Sequence, residues 1–562
     1  MSSKKVYLKQ NVMVEPLFNR WYAWPNLIAP ATAPMYVAFS HLAIMESFVT
    51  SPQIHISATK NPSMRGGPFM DFDLSKIDAV KALIEKTKRE QSQSLEFAYA
   101  IKNFSELFLA EATGGSLEPL YIKIPDILKG YIELTYDLNT NPSIRVIEGL
   151  LYKSPNYSKS SQSVAISLTD KDERPFVFST PKLENEDEIN LNITFDNEGL
   201  DEFFKIMYQP QPVEYAEEVL GILPDQRELF RSFFTDEEPE FLPPYNEDNI
   251  RIRYFGHACI LIESKHVNIL CDPVISYRYE NGIYRYSYSD LPDKIDYILL
   301  THNHQDHVML ESLKKLRHKT AQIIVPKNNG GGLEDPSLRL ILEAIGFRNV
   351  REIDELETIA IPGGTILGVP FFGEHGDLSI RSKISYLINV LGRSIMCAAD
   401  SKNIEPKLYQ HINHLYGDID VLYLGMECDG APLSWLYGPL LTRPISRKMD
   451  QSRRLDGSDC ERGIDIVNSL NPKEVYVYAM GQEPWLDYLT SIKYTDESRP
   501  IIESNKLVEA CRARGIISER LYGHKDTYLK ANATNNYGAK YASKNGARPC
   551  FGERVAQGGV RS

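Results

Sequence analysis

The spacing of apolar residues changes character near residue 245 of this 562-residue chain. Before that point helical and extended patterns alternate. The stretch opened by Trp21-Tyr22-Ala23-Trp24-Pro25 is aromatic and apolar, then helical as far as Ser47, which predicts packing against something large. Residues 74 to 110 set Leu, Ile and Ala among Lys and Glu at a helical period, with a start between Asp71 and Ser75. Residues 119 to 180 alternate apolar and polar positions, with turns at Pro142 and Pro155, and predict strands; the acidic stretch 184 to 196 predicts one more. Residues 198 to 235 predict helix, and Asp236-Glu237-Glu238-Pro239 with Pro243-Pro244 predict a linker. On this reading residues 1–245 form a mixed α+β domain. It carries no recognisable chemistry, since His41 and His55 stand alone, so its expected work is dimerisation or shaping the mouth of an active site.

From Asn249 short extended runs dominate. Residues 250 to 255 alternate, Gly256-His257-Ala258-Cys259 reads as a turn, and two short apolar runs follow, the second ending at Cys271-Asp272-Pro273. The run 295 to 301 predicts a buried strand. Beyond it come a helix at 310 to 318, a strand at 323 to 325 and the turn Asn328-Asn329-Gly330-Gly331-Gly332, which lacks the Gly-Lys-Ser/Thr ending of a phosphate loop. Further apolar strands are expected at 366 to 372, 395 to 399 and 476 to 480. Residues 531–562, rich in Gly, Ala, Asn, Lys and Arg, read as a mobile tail or an arm on a partner subunit.

Composition narrows the class. A chain of this length holds two or three domains, and 43% hydrophobic with 24% charged residues describes a soluble globular protein. A net charge of −13 argues against general nucleic-acid binding. The seven cysteines are scattered, with no Cys-x-x-Cys pair, which fits a reducing, cytoplasmic setting. No signal-peptide core and no apolar run long enough to span a membrane is present, so no membrane association is expected.

The chemistry concentrates after the 295 to 301 run, in His302-Asn303-His304-Gln305-Asp306-His307. Four ligand-type side chains within six residues suit a pair of metal ions, because structural zinc draws its ligands from wider spacings. All but two of the 12 histidines lie after residue 250, in line with a C-terminal metal domain. This His-x-His-x-Asp-His pattern resembles the signature of the metallo-β-lactamase superfamily, which implies an α/β fold: an αββα sandwich with its metal site where loops of both sheets converge.

The resemblance points to further ligands at strand ends. Glu374 and His375 are adjacent in Gly373-Glu374-His375-Gly376-Asp377, and hydrolytic members take a histidine from this loop. Asp400 ends the run 395 to 399, where the superfamily keeps a bridging carboxylate. Glu427 or Asp429, in Met426-Glu427-Cys428-Asp429-Gly430-Ala431-Pro432, offers one more carboxylate, and His524 is the late histidine. Three histidines with up to four carboxylates (Asp306, Glu374, Asp400, Glu427) favour iron or manganese over zinc, since hard anionic oxygens stabilise higher oxidation states.

Taken with the large N-terminal domain and its Asn19-Arg20-Trp21-Tyr22-Ala23-Trp24-Pro25, these motifs resemble the CmlA-type diiron β-hydroxylases of non-ribosomal peptide synthesis over nearly the whole chain up to about residue 530. The resemblance implies an oxo-bridged pair of irons, dioxygen as co-substrate, an external electron donor, and an aminoacyl thioester on a carrier protein as substrate. It implies His302, His304 and Glu374 on one iron, Asp306, His307 and a carboxylate on the other, and Asp400 near both. A shift of Glu374 would open a coordination position, Glu427 is carried over with Asp429 as its rival, and the N-terminal domain would form a homodimer. The competing reading is a dinuclear zinc hydrolase of the same fold, acting on a lactone, thioester or phosphodiester. It requires His375 in place of Glu374 and His524 as the last ligand.

Two stretches remain. Trp435-Leu436-Tyr437-Gly438-Pro439, with Arg443 and Arg447, is a candidate wall of a substrate channel. Residues 442 to 463 hold five Arg and one Lys against four acids, a local basic patch able to receive an acidic carrier protein.

Overall fold

In the computed structural model of the protein, which describes residues 4–279 and 282–532, two seven-stranded sheets lie face to face. The first runs in spatial order Val350–Ile353, Thr320–Pro326, Ile295–Leu299, Asn268–Cys271, Ile260–Glu263, Asn249–Tyr254, Lys525–Lys530. The second runs Thr358–Ile361, Gly364–Val369, Ser385–Val390, Arg393–Cys397, Val421–Gly425, Glu474–Tyr478, Ile517–Arg520. Each sheet begins with antiparallel hairpins and continues with parallel strands. Parallel neighbours need crossovers. Helices Leu310–Leu316 and Leu338–Ala344 supply them for the first sheet, and Lys407–Tyr416, Cys460–Leu470 and Arg499–Ala513 for the second. The αββα sandwich expected from the resemblance is therefore present.

Strand alternation explains the layers. Ile250, Ile252 and Tyr254 point between the sheets and are buried with Ile366, Ile388 and Ile395 of the facing sheet. Arg251 and Arg253 point the other way, where both guanidinium groups bond Glu263 at 2.8 Å. The sheets also touch through polar and sulfur atoms: Tyr386 donates its hydroxyl to the Leu300 carbonyl at 2.9 Å, and the Cys271 and Cys397 sulfurs stand 3.9 Å apart.

The N-terminal half covers the helical outer face of the first sheet. Its four-stranded sheet, Trp21–Tyr22, Val12–Phe18, Gln162–Leu168 and Ile189–Leu191, shares one hydrophobic core with Leu313, Leu316 and Ile341. The helix expected over 74 to 110 is two, Ile77–Glu90 and Ser92–Glu111, broken at Gln91, whose side chain donates to Ser161 Oγ at 2.6 Å. Residues 119 to 180 form fewer strands than their alternation suggests: Ile132–Tyr136 and Pro142–Val146 make a hairpin, and helical turns separate it from Gln162–Leu168. Pro142 opens a strand, the position where its missing N–H costs no ladder bond, and the turn itself is held by Asp137. The helix expected over 198 to 235 is three short ones, Gly199–Lys205, Val213–Leu220 and Arg227–Arg231. Residues 236 to 248 contain no helix or strand. The tail expected at 531–562, with Cys550, lies outside the described residues apart from Ala531 and Asn532.

A buried ionic network ties the halves together. Arg174 donates to Glu15 at 3.1 Å and to Glu311 at 3.0 Å, and its guanidinium lies 3.3 Å from the centre of the Tyr488 ring. Glu311 also accepts from Tyr22 (3.0 Å) and Tyr277 (2.6 Å). Arg174→Ala leaves Glu311 without its cation and Glu15 with Lys182 alone, so a loss of about 3–5 kcal/mol is expected in denaturant unfolding. Arg174→Lys, which keeps the charge but not the fork, falls between.

Candidate metal centre

Every side chain of the centre leaves the end of a strand. Strand Ile295–Leu299 runs parallel between Asn268–Cys271 and Thr320–Pro326, and the chain then turns at 302–307. Asp272, fully buried at the end of the neighbouring strand, anchors that turn. It accepts the Thr301 backbone N–H at 2.8 Å and the Thr301 hydroxyl at 2.6 Å, and lies 2.9 Å from His307 Nδ1. The other imidazole nitrogen, Nε2, is thereby aimed at Asp400, 3.1 Å away.

His302 stands on Thr301, with Nδ1 3.0 Å from Oγ1, and turns Nε2 to Glu374 and Asp400, each at 3.8 Å. His304 faces Glu374 through Nδ1 at 2.6 Å, while its Nε2 is 3.2 Å from the Tyr437 hydroxyl. Asp306 lies 3.3 Å from His257 Nε2, and the backbone N–H of Gly481 donates to His257 Nδ1 at 3.0 Å. Three groups of ligand atoms, each within 4.8 Å, result: His302/His304/Glu374, His302/His307/Asp400, and His257/Asp306/His307. They share His302 and His307 and so make one two-lobed cluster.

The backbone is strained around this cluster. His257, Asp272, Glu374 and Ala399 all have left-handed φ, from +39° to +67°. Such conformations cost about 1–3 kcal/mol each and collect at functional sites. Close packing adds a constraint at Gly425, where a Cβ would stand 2.4 Å from Asp400 Oδ1.

The electrostatics call for a cation. Burial alone would raise Glu374, yet His304, His375 and His302 hold it well below the usual carboxylate range. Asp400 stays above that range because burial and nearby acids outweigh His307. Burial and the carboxylates of Asp400, Asp306 and Glu374 push Glu427 well above it. His302 Nε2 and Asp400 Oδ1 are buried and lack hydrogen-bond partners, while Glu374 Oε2 lies 2.5 Å from His375 Nδ1. Inward-facing imidazole and carboxylate atoms without partners, on a carboxylate-rich set, fit a pair of iron ions.

The structure brings together His302, His304, Asp306, His307, Glu374 and Asp400. Glu427 faces the same acids from just outside the three close groups, whereas Asp429 is 58% exposed and pairs with Arg454 at 3.6 Å. His375 stacks on His304 with ring centres 4.5 Å apart and joins none of the three groups. His524 is exposed, packs on Tyr284 at 4.3 Å, and immediately precedes an edge strand rather than lying in a tail. The final ligand of the hydrolase reading is therefore not at the centre. His257, in a stretch whose sequence predicts only a turn, and Asp272, at a predicted strand end, also stand at the centre. Neither lies at a ligand spacing from the motif, although an Asp closing the adjacent strand was a usable signal. Tyr437 was assigned to a channel wall and in fact touches His304.

Site and fold together define a dinuclear metalloenzyme on a metallo-β-lactamase-type sandwich. Residues 7–239 match the diiron non-haem β-hydroxylase N-terminal domain, and residues 267–430 match the β-lactamase superfamily domain. The chain is 36% identical over 525 residues to the 4-amino-L-phenylalanyl-[CmlP-peptidyl-carrier-protein] 3-hydroxylase of Streptomyces venezuelae, covering 92% of this chain and 98% of that protein. The crystal structure of CmlA, a diiron β-hydroxylase from Streptomyces venezuelae, superposes with a TM-score of 0.88 at 35% identity, covering 94% of this chain and all of that one. A UPF0173 protein of Pyrococcus abyssi is 34% identical over 174 residues, 31% of this chain and 68% of its own length. The chain belongs to the CmlA-type diiron non-haem β-hydroxylases.

Asp272→Ala removes the support of both His307 and Thr301. Iron affinity, measured by chelator competition on folded protein, is expected to fall about 10–100-fold.

Proposed function

We propose that this protein hydroxylates the β-carbon of an amino acid held as a thioester on a non-ribosomal peptide synthetase carrier protein. The observation that carries the reading is the two-lobed, carboxylate-rich cluster, set in a chain that matches a diiron β-hydroxylase along nearly its full length. His302, His304 and Glu374 would hold one iron and Asp306 and His307 the other, with Asp400 within reach of both and Glu427 facing them. Bound there, the irons supply activation of dioxygen and its insertion into a C–H bond, using electrons from an external donor.

The chain's own residues position and shield. Asp272 fixes which nitrogen of His307 faces inward, and the Tyr437 hydroxyl holds the outer edge of His304. Glu374 lies between two imidazoles, with Oε1 2.6 Å from His304 Nδ1 and Oε2 2.5 Å from His375 Nδ1, and would be the carboxylate whose shift opens a position for dioxygen. Burial of the ligands excludes water, which would otherwise divert the activated oxygen.

The same reading takes a reductase as the electron source and a cytoplasmic setting. Among the described residues no helix is long and apolar enough to cross a membrane. It also takes a homodimer through the N-terminal half, a view supported by exposed apolar side chains there: Leu138, fully exposed, Ile122 at 84% and Tyr121 at 40%.

Purified after growth with ample iron, the protein is expected to contain about two irons per chain and a visible charge-transfer band that bleaches on reduction. The reduced enzyme should consume dioxygen faster with an aminoacylated carrier domain than without it. Two zincs and no colour would defeat the reading, and equal dioxygen uptake with and without the loaded carrier would defeat substrate gating. Glu374→Ala should lose iron from the His302/His304 lobe and abolish hydroxylation.

A further inference from the structure

Beside the metal centre the two halves of the chain enclose a cavity of about 500 Å³. Aromatic side chains form part of its wall: Trp24, Tyr36 and Phe178 from the N-terminal half, Trp435 from the C-terminal half. Of its serine hydroxyls, Ser47 bonds His55 at 3.0 Å and Ser434 donates to Asp450 at 2.7 Å, which leaves Ser40. Size, aromatic lining and position at a seam between domains are those of a ligand cavity. The seam is fastened on both sides, since the Trp435 indole donates to the Gly66 carbonyl and the Tyr36 hydroxyl to the Leu436 carbonyl, each at 2.7 Å.

The helix Leu433–Tyr437 is shared between cavity and metal centre. Ser434, Trp435 and Leu436 line the cavity, and Tyr437, the next residue, stands 3.2 Å from His304 Nε2. The chain next to the cavity is basic. Arg65 immediately precedes Gly66, and Arg443, Arg447 and Lys448 follow Pro439; Gly66 and Pro439 both line the cavity. All four cations are exposed, and none pairs with an acid among the described residues. Four unpaired cations close in sequence to the lining segments, with Asp450 tied to Ser434 as the acid among them, are a local exception in a chain of net charge −13.

We propose that this face docks an acidic carrier protein and that the cavity receives the carrier's pantetheine arm. The inference rests on the function proposed above and adds the place and means of recognition. Pantetheine is a chain of two amides and a gem-dimethyl group. The aromatic side chains suit its apolar part, the Ser40 hydroxyl one of its amides, and the nearby cations the negative carrier surface and the phosphate at the arm's root.

The test uses the full-length, iron-loaded protein and a panel of carrier domains, each prepared with and without its phosphopantetheine arm, with binding read by a surface assay. Wild type should bind at least one armed carrier, and about 0.5 M NaCl should weaken that binding about tenfold or more. The triple variant R443E/R447E/K448E should lose about tenfold or more at low salt. Trp435→Ala should weaken binding of the armed carrier and leave the arm-free carrier unchanged. Iron content and melting temperature confirm that each variant is folded. If the triple variant binds like wild type, the docking face is overturned while the function stands. If Trp435→Ala weakens both carrier forms equally or neither, the cavity is not the arm's site. If no carrier in the panel binds wild type at any salt, the docking proposal and the proposed function fall together.

Discussion

Acidic side chains crowded together out of water are the constraint on which the centre depends. Asp306, Glu374, Asp400 and Glu427 converge with four imidazoles in a buried space, and isolated buried carboxylates are costly. Proton sharing with the histidines relieves part of that cost, and metal ions relieve the rest. The rigid frame follows from this. Asp272 pins the ligand turn from the adjacent strand, Gly425 leaves room for Asp400, and the left-handed backbone at Glu374 and Ala399 presents their loops at angles ordinary strand ends do not reach. Both sheets contribute ligand loops, so the packing between them sets the spacing of the two lobes.

Much of this was legible in the sequence because ligands came either in one tight run or at the ends of apolar strands. His302, His304, Asp306 and His307 are local, and Glu374 and Asp400 follow recognisable strands. The choice between Glu427 and Asp429 was not legible. Both lie in one short turn, and only the folded chain shows Asp429 turned out to Arg454 and Glu427 turned in. His257 was hidden for a different reason: its neighbours Asp306 and His307 are brought to it by sheet pairing, which leaves no mark in local spacing. In the N-terminal half, apolar periodicity located helices correctly but not their breaks. The break at Gln91 comes from a side-chain bond to Ser161, a tertiary contact that overrides local propensity.

The two halves act as one body because charge is neutralised between them. Glu311 sits on a helix of the catalytic sandwich, Arg174 and Tyr22 on the N-terminal half, and each leaves a buried group unpaired without the others. That seam runs on to the aromatic cavity and its basic rim. The N-terminal half thus lines part of that cavity although it supplies no ligand to the three close groups.

The last described strand, Lys525–Lys530, pairs along its whole length with the first strand of the catalytic domain, Asn249–Tyr254. The N-terminal half is closed differently: Lys5–Leu8 pairs with Phe234–Thr235, so its small sheet can be completed once the first half of the chain exists. During synthesis the N-terminal half can therefore fold early, while the catalytic sandwich keeps an open edge until nearly the last described residue has left the ribosome.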